Sequence, residues 1–104
     1  MLYIKLYETE KGSIVALCDE GLLGKKYTDK RTGAELDLNK YSDFYKGDLV
    51  NAEEAKRIVS QEYIYSANVV GNESVSLMVD VGLAASDEIK IIAKVPSLHI
   101  YRLL

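Results

Sequence analysis

The chain has 104 residues, a length that predicts one globular domain. Because 48% of the residues are hydrophobic, with one proline and no low-complexity run, the composition excludes a disordered chain. Thirteen lysines and arginines against sixteen acids give a net charge of −3, which argues against a free-standing nucleic-acid binder but leaves room for a local basic patch. A single cysteine excludes an intramolecular disulfide, and charges interrupt the apolar N-terminus. We therefore expect a cytoplasmic protein without a signal peptide or membrane span.

The N-terminal segment predicts a β-hairpin followed by a bend. Residues 2–8 alternate aliphatic side chains with charged or aromatic ones, which is typical of a strand with one face towards a core. A turn at Gly12 leads into the apolar run Ser13–Cys18, the pattern of a strand covered on both faces. The next stretch, Asp19–Gly24, predicts a short helical turn or a bend.

A second, more solvated hairpin is predicted in the following segment. The turn cluster Thr28–Gly33 precedes an alternation of Ala34, Leu36 and Leu38 with acids. The residues after it, Asn39–Asp48, hold three aromatic rings, and we expect a loop there that is too apolar to be a plain linker.

Two helices are predicted in the second half of the chain. Asn51 is the expected N-cap of a helix over residues 52–61. The segment at 63–70 fits either a strand or an irregular link. Asn72 is the expected N-cap of the second helix, and Gly82 can take the left-handed conformation that ends it.

Two closing strands, at 88–95 and 97–104, are predicted around a corner between Lys94 and Pro96. Pro96 is expected at an edge or in a turn, because proline cannot donate to a strand ladder. The elements together predict a single α+β domain with a mixed or mainly antiparallel sheet and two helices.

The sequence contains one cysteine and one histidine, two residue types that often act as nucleophile and general base. The charges of Asp19 and Glu20 would raise the pKa of the neighbouring Cys18 thiol, and we interpret Cys18 as a buried core residue. His99 is the one histidine, and we interpret it as a half-exposed strand residue. The carboxylates show no metal-ligand spacing and no phosphate-binding glycine loop occurs, so we predict no catalytic residue, no metal and no cofactor.

One local basic cluster stands out. Its members are Lys25, Lys26, Tyr27, Lys30 and Arg31. Cations beside an aromatic ring are the components of a surface that contacts phosphates and stacks bases, and Tyr45 and Lys46 could extend it. A solvated hairpin whose aromatic rings pack into the core is the other interpretation.

Several segments carry a resemblance to a known family. The segments "ALCDEGLLGKKY", "FYKGDLVNAEEA", "NVVGNESV" and "VGL" follow one another along nearly the whole chain. They resemble the successive motifs of the archaeal domain-of-unknown-function 424 family, a Cys-Asp-Glu-x-Leu-Leu-Gly-Lys box, a Phe-Tyr-x-Gly-Glu box and a Val-Gly box. By this resemblance the site candidates are Cys18, Asp19, Glu20, Leu23, Gly24, Lys25, Phe44, Tyr45, Gly47, Val70, Gly71 and Pro96. The resemblance implies an archaeal cytoplasmic protein, with a link to translation as a family-level expectation.

The chain departs from that family at a Gly-Val-Pro-His box near the C-terminus. Lys94 and Ser97 stand where the family has Gly and His, and His99 lies two residues later. Chemistry that depends on the family histidine therefore does not carry over by position. For the Cys-Asp-Glu box we favour a folding role, in which Asp19 or Glu20 accepts backbone amides in the bend and two leucines pack inwards.

The leading functional hypothesis is a non-enzymatic binding module that acts with RNA or a ribonucleoprotein partner through the Lys25–Arg31 side. Two other hypotheses stay open. One is a small enzyme centred on Cys18, Asp19 and Glu20. The other is a homodimer or complex subunit joined through an exposed strand at Leu98–Leu103, whose apolar end would need cover.

Overall fold

The computed structural model describes residues 1–101, which contain eight strands, three α-helices and two 3-10 turns. The strands are β1 Leu2–Thr9, β2 Gly12–Asp19, β3 Lys26–Thr28, β4 Glu35–Asp37, β5 Asp48–Val50, β6 Ile64–Val70, β7 Lys90–Ile92 and β8 Val95–Tyr101. The α-helices are α1 Ser42–Tyr45, α2 Ala52–Ser60 and α3 Asn72–Asp80, and the 3-10 turns are Glu20–Leu22 and Ser86–Glu88.

Six strands form one mixed sheet in the order β5-β1-β2-β6-β8-β7. The central pair β2 and β6 is parallel, and every other neighbouring pair is antiparallel. The strands β3 and β4 form a separate hairpin. The predicted single α+β domain with a mainly antiparallel mixed sheet is confirmed, as are both predicted hairpins, and the ambiguous segment at 63–70 proves to hold a central strand.

One face of the sheet, the helical face, is covered by α2 and α3. Alternate residues of the central strands, such as Val15 and Leu17 on β2 and Val69 on β6, pack there against the helices. The helices contribute mainly Ala55, Val59, Val75, Leu77 and Met78. Aliphatic side chains thus close this face, which holds the larger of the two buried clusters.

The opposite face, the hairpin face, is covered by the β3–β4 hairpin and by α1. Its buried cluster is small, with Cys18, Leu38, Val70 and Val95 at the centre. Partly buried side chains surround the cluster, namely Leu22, Leu23, Tyr27, Leu36 and Tyr45. The predicted inward packing of the two leucines after Cys18 is confirmed, although both stay partly exposed.

Both predicted helices are present, but the start of the second was assigned wrongly. The Asn51 side chain accepts a hydrogen bond from the Glu54 N–H at 2.8 Å, as expected for the N-cap of α2. The N-cap position of α3 is Gly71 rather than Asn72, and no side chain of its own segment caps this helix. The expected left-handed Gly82 follows α3 with φ of 77°.

Two further predictions are corrected. Residues 42–45, predicted as loop, form the one-turn helix α1, a third helix. Pro96 lies inside β8, between β6 and β7, rather than at an edge or in a turn. Its carbonyl accepts a bond from the Gly71 N–H, just beyond the end of β6, so the missing proline N–H falls where the β6 ladder has stopped.

Among residues 1–101, no helix combines the length and the apolar character that crossing a bilayer requires.

Candidate functional site

Asp19, at the end of β2, caps α3 across the top of the sheet. Its two carboxylate oxygens accept the backbone N–H groups of Glu73 and Ser74 at 3.0 and 2.8 Å. The Ser74 hydroxyl donates to the same carboxylate at 2.7 Å. A charge at the positive end of α3 satisfies amides that otherwise lack partners. Asp19 therefore does accept backbone amides as expected, but from α3 rather than from the bend that follows it.

Gly71 makes room for this cap. Its φ is 109°, and a Cβ on it would lie 2.2 Å from the Asp19 Cγ. No other amino acid fits this close approach without displacing the carboxylate. Two segments that resemble family motifs, Cys-Asp-Glu and Val-Gly, thus meet in one contact, which we call the α3 cap.

Cys18 lies in the small cluster of the hairpin face, fully buried, beside Tyr45. Burial, followed by the charge of Asp19, raises the pKa of the Cys18 thiol from 9.0 to about 12. Burial, with a smaller contribution from Cys18, raises the pKa of Tyr45 to about 12. Both groups keep their protons at neutral pH, so this thiol is a core residue as predicted and a poor nucleophile.

The Phe-Tyr-x-Gly segment holds α1 against β1. A Cβ on Gly47 would overlap the Ile4 carbonyl oxygen, so only glycine fits beside β1 at this position. Phe44 stacks on Tyr7 with ring centroids 5.2 Å apart, and the Tyr7 hydroxyl donates to the Phe44 carbonyl at 2.8 Å. These contacts fix the aromatic rings of α1 over the hairpin face.

The remaining motif candidates lie in the surface bend. Glu20 and Gly24 are exposed, and the Glu20 N–H donates to the Met1 carbonyl at 3.1 Å. Gly24 has φ of 88°, the left-handed conformation that its turn needs. Leu23 packs partly inwards and Lys25 projects from the surface.

The tip of the β3–β4 hairpin contacts the turn between β7 and β8 through Asp29. Asp29 accepts the N–H groups of Ala93, Arg31 and Thr32 at 3.4, 2.9 and 3.3 Å. These bonds, that of Ala93 first, hold the pKa of Asp29 below its usual value. The only acid of the basic cluster is therefore engaged by the backbone.

A cavity of about 500 Å³ lies at this contact. It is lined by Thr28, Asp29, Lys30, Arg31, Ile91, Ala93 and Lys94. Lys94 adds a cation that the sequence cluster did not include, and Ile91 adds an aliphatic side chain that is 61% exposed. We call the cations Lys30, Arg31 and Lys94 the basic tip.

The structure brings only part of the predicted basic surface together. Lys26 pairs with Glu35 across the hairpin at 3.5 Å, and Tyr27 packs into the small cluster. Tyr45 packs into the same cluster, while Lys46 lies exposed beyond α1 and outside the cavity at the tip. The rings of Tyr27 and Tyr45 are thus partly buried against the small cluster, and the cations divide between the tip and the hairpin base.

Sequence reasoning missed a cleft on the hairpin face, which we call the Asn68 cleft. Asn68 and Tyr45 line two adjoining cavities of about 280 and 370 Å³. The larger is also lined by Tyr41 and Phe44, and the smaller by Leu36, Val69, Val70, Glu88, Lys90, Ser97, Leu98 and His99. The signal in the sequence was Asn68, a polar residue within the otherwise apolar end of a central strand.

The strand β8 only partly matches the exposed strand expected at Leu98–Leu103. Leu98 and Ile100 are buried on the helical face, whereas His99 and Tyr101 are exposed. The three last residues of the chain, including Leu103, lie outside the described residues. Beyond Ser97, β8 pairs with β6 alone, because β7 ends its ladder there.

The comparisons with known proteins agree with this architecture. Residues 7–103 match the family model described as "Protein of unknown function (DUF424)". The chain belongs to the DUF424 family. The family resemblance seen in the sequence is thereby confirmed.

The DUF424 chain also resembles a solved structure. The crystal structure of an uncharacterized conserved protein from Methanopyrus kandleri is 29% identical to it, with a TM-score of 0.72, and the match covers 96% of this chain and 90% of that chain. A comparison with curated proteins finds no match.

Most motif residues of this DUF424 chain lie outside the basic tip and the Asn68 cleft, with three exceptions. The α3 cap, Gly47 and Cys18 secure the fold, whereas the basic tip and the Asn68 cleft are built mostly from other residues. Tyr45 packs on the small cluster around Cys18 and lines both cavities of the cleft. Phe44 lines the larger cavity, and Val70 lines the smaller one.

Proposed function

We propose that this DUF424 protein is a non-enzymatic binding module of the cytoplasm. In this proposal it contacts RNA, free or within a ribonucleoprotein of the translation apparatus, through the basic tip. The observation that carries the proposal is the convergence of Lys30, Arg31 and Lys94, from two distant parts of the sequence, around one open cavity.

The charges at the tip are available to an external anion. Within residues 1–101, none of the three cations lies within salt-bridge distance of a carboxylate. The Asp29 carboxylate already accepts hydrogen bonds from three backbone N–H groups. Because the whole chain carries a net charge of −3, an anionic partner is attracted to this local concentration of cations rather than to the surface as a whole.

The state of Cys18 favours a binding module over the hypothesis of an enzyme. A nucleophilic thiol needs partial exposure and a lowered pKa, whereas Cys18 is fully buried and its pKa is raised to about 12. The neighbouring Asp19 is engaged in the α3 cap.

The proposal is tested by titrating a short fluorescent single-stranded RNA with the full chain at several salt concentrations. Lys30→Gln with Arg31→Gln should weaken binding about tenfold and reduce the slope of log affinity against log salt by about 1.4, since each lost contact with single strands removes about 0.7. These positions are better than Lys26, because Lys26 already pairs with Glu35 at 3.5 Å and does not line the cavity at the tip.

The matched control removes two charges far from the tip. Lys11 lies in the turn between β1 and β2, at the other end of the sheet, and Arg57 lies on α2 over the helical face. Lys11→Gln with Arg57→Gln should leave the affinity and the salt slope unchanged. Equal losses in both double variants, or no binding by the native chain, would overturn the proposal, as would nuclease-resistant recovery of a purely protein partner from lysate.

A homodimer is the second candidate function, favoured by the free edge of β8. Because the Gly71 N–H bonds the Pro96 carbonyl, Leu98 and Ile100 point their backbone groups to β6, whereas those of His99 and Tyr101 point away from it. A second copy could add its own edge there. Sedimentation as a monomer at concentrations that saturate RNA binding would remove this candidate.

A further inference from the structure

Asn68 places a carboxamide on the hairpin face of a central strand. Asn68 lies on β6 between Ala16 of β2 and His99 of β8. No side-chain hydrogen bond within residues 1–101 involves it, and it lines both cavities of the cleft. A donor and an acceptor placed in the middle of a sheet, beside an alanine that leaves space, are positioned to pair with a bound group.

Three aromatic rings line the larger cavity beside this amide, and two of them are held by contacts with other rings. Tyr41 is 54% exposed and lines the larger cavity with Phe44 and Tyr45. Phe44 packs edge-to-face on Tyr45 with centroids 5.1 Å apart, and its own stack on Tyr7 holds the group in place. Rings that are already immobilised lose little side-chain entropy when a flat ligand stacks on them.

The other wall of the cleft is polar and continues towards the basic tip. His99 and Lys90 line the smaller cavity, and the next residue of β7, Ile91, lines the cavity of the tip. Lys40 lies with its Nζ 5.4 Å from the Tyr41 ring centroid, so a second cation flanks the aromatic wall. Strand β7 therefore borders both cavities, and an RNA strand that occupies both would cross β7.

We propose that the Asn68 cleft binds an unpaired nucleobase of the RNA held at the basic tip. In this arrangement the base stacks against the aromatic wall formed by Tyr41, Phe44 and Tyr45, and the Asn68 amide pairs with its edge. A carboxamide matches a base edge because it offers a donor and an acceptor side by side, and stacking on an aromatic ring adds affinity for any base. This inference rests on the proposed function, because the RNA held at the basic tip supplies the base. It adds the Asn68 cleft as the subsite that recognises that base.

The test compares two single-stranded ribonucleotide chains of equal length and charge, one with bases and one with abasic sugars, bound to the full chain at one salt concentration. We expect the native protein to bind the strand with bases about tenfold more tightly than the abasic strand. Asn68→Ala and Tyr41→Ala should each abolish most of that difference while leaving the affinity for the abasic strand unchanged.

Two control variants match those substitutions in chemistry. Asn72→Ala removes an exposed amide at the start of α3, and Tyr63→Ala removes a tyrosine that is 53% exposed on a different part of the chain. Both controls should keep the preference for bases. A preference lost equally in a cleft variant and its control would overturn the inference.

Failure of this inference is distinguishable from failure of the proposed function. Equal affinity for the two strands, with dependence on Lys30 and Arg31 retained, overturns the base site and leaves the RNA contact standing. If neither strand binds, the proposed function fails. A titration with adenosine and uridine monophosphates then decides the cleft, because a shift of the Asn68 side-chain amide NMR signal supports a base site and an unmoved signal overturns it.

Discussion

The helical face and the hairpin face of the same sheet are built to different standards of packing. Under α2 and α3, aliphatic side chains fill a continuous buried cluster. Under the hairpin and α1, four buried residues are surrounded by partly exposed leucines and tyrosines, and cavities open beside them. The closely packed helical face therefore supplies most of the buried aliphatic contact, while the hairpin face keeps polar and aromatic groups accessible.

A matched pair of leucine truncations measures this difference directly. Leu77, on α3, is 1% exposed on the helical face, and Leu36, on β4, is partly exposed on the hairpin face. Leu77→Ala should lower the free energy of unfolding by about 3–4 kcal/mol, and Leu36→Ala by about 1 kcal/mol. Chemical denaturation of both variants checks it, and equal losses would mean that the hairpin face is as tightly packed as the helical one.

The α3 cap holds the start of α3 at the end of β2, and a double-mutant cycle tests how its two residues are coupled. Asp19→Ala leaves two amides of α3 and the buried Ser74 hydroxyl without their acceptor, which should cost about 2–3 kcal/mol. Gly71→Ala should cost at least as much, because its Cβ would overlap the Asp19 carboxylate.

The two substitutions should not be additive. Asp19→Ala removes the carboxylate but keeps the Cβ of residue 19, which would lie 2.7 Å from a Cβ at residue 71. Because only the overlap with the carboxylate is relieved, Gly71→Ala should cost about 1 kcal/mol less in the Asp19→Ala background than alone. Strict additivity in denaturation experiments would show that the overlap with the carboxylate does not contribute to the cost of Gly71→Ala.

Alkaline pH should lower the free energy of unfolding through two groups on the hairpin face, Cys18 and Tyr45. Because the folded pKa of Cys18 is raised from 9.0 to about 12, the folded state holds a proton that the unfolded state releases. The associated stability is present below pH 9 and is lost as the pH rises towards 12, by about 1.4 kcal/mol per pH unit at most. Tyr45, with its pKa also near 12, should add to the loss above pH 10.

Unfolding curves between pH 8 and 11 measure this slope. Cys18→Ala should flatten it, whereas Leu77→Ala should lower stability at every pH and keep the slope. An unchanged slope in Cys18→Ala would place the alkaline sensitivity elsewhere.

The smallest effect is expected at the turn between β7 and β8. Ala93 and Lys94 have φ of 49° and 67°, the left-handed angles that a type I′ turn requires and that glycine adopts more readily. Ala93→Gly and Lys94→Gly should each raise the free energy of unfolding by about 0.5–1 kcal/mol. Only Lys94→Gly should weaken RNA binding, since only that change removes a cation of the basic tip. A stability gain without any loss of binding in Lys94→Gly would exclude Lys94 from the contact.

Periodicity predicted most of this architecture from sequence. Alternation along β1, the apolar run of β2 and the Asn51 cap of α2 are local signals, and each was confirmed. The errors arose where the deciding contact is distant in sequence. The cap of α3 comes from Asp19, more than fifty residues away, and Pro96 is tolerated because β6 ends beside it.

The candidate site was less predictable for the same reason. The cations of the hairpin were visible in sequence, but Lys94 reaches them only through the contact of Asp29 with Ala93. The Asn68 cleft depends on strand order, which places Asn68 beside Ala16 and His99. No spacing along the chain encodes such a neighbourhood.

The parallel pairing of β2 with β6 has a consequence for the order of assembly. The chain that connects these two central strands, residues 20–63, contains the hairpin, α1 and α2. The hairpin β1–β2 can form locally, but the middle of the sheet must wait until that long segment has folded back, at an entropic cost that local contacts do not incur. We therefore expect the first hairpin to form early. The second hairpin, α1 and α2 should then dock onto the sheet together with the pairing of β2 and β6, in one late, cooperative step.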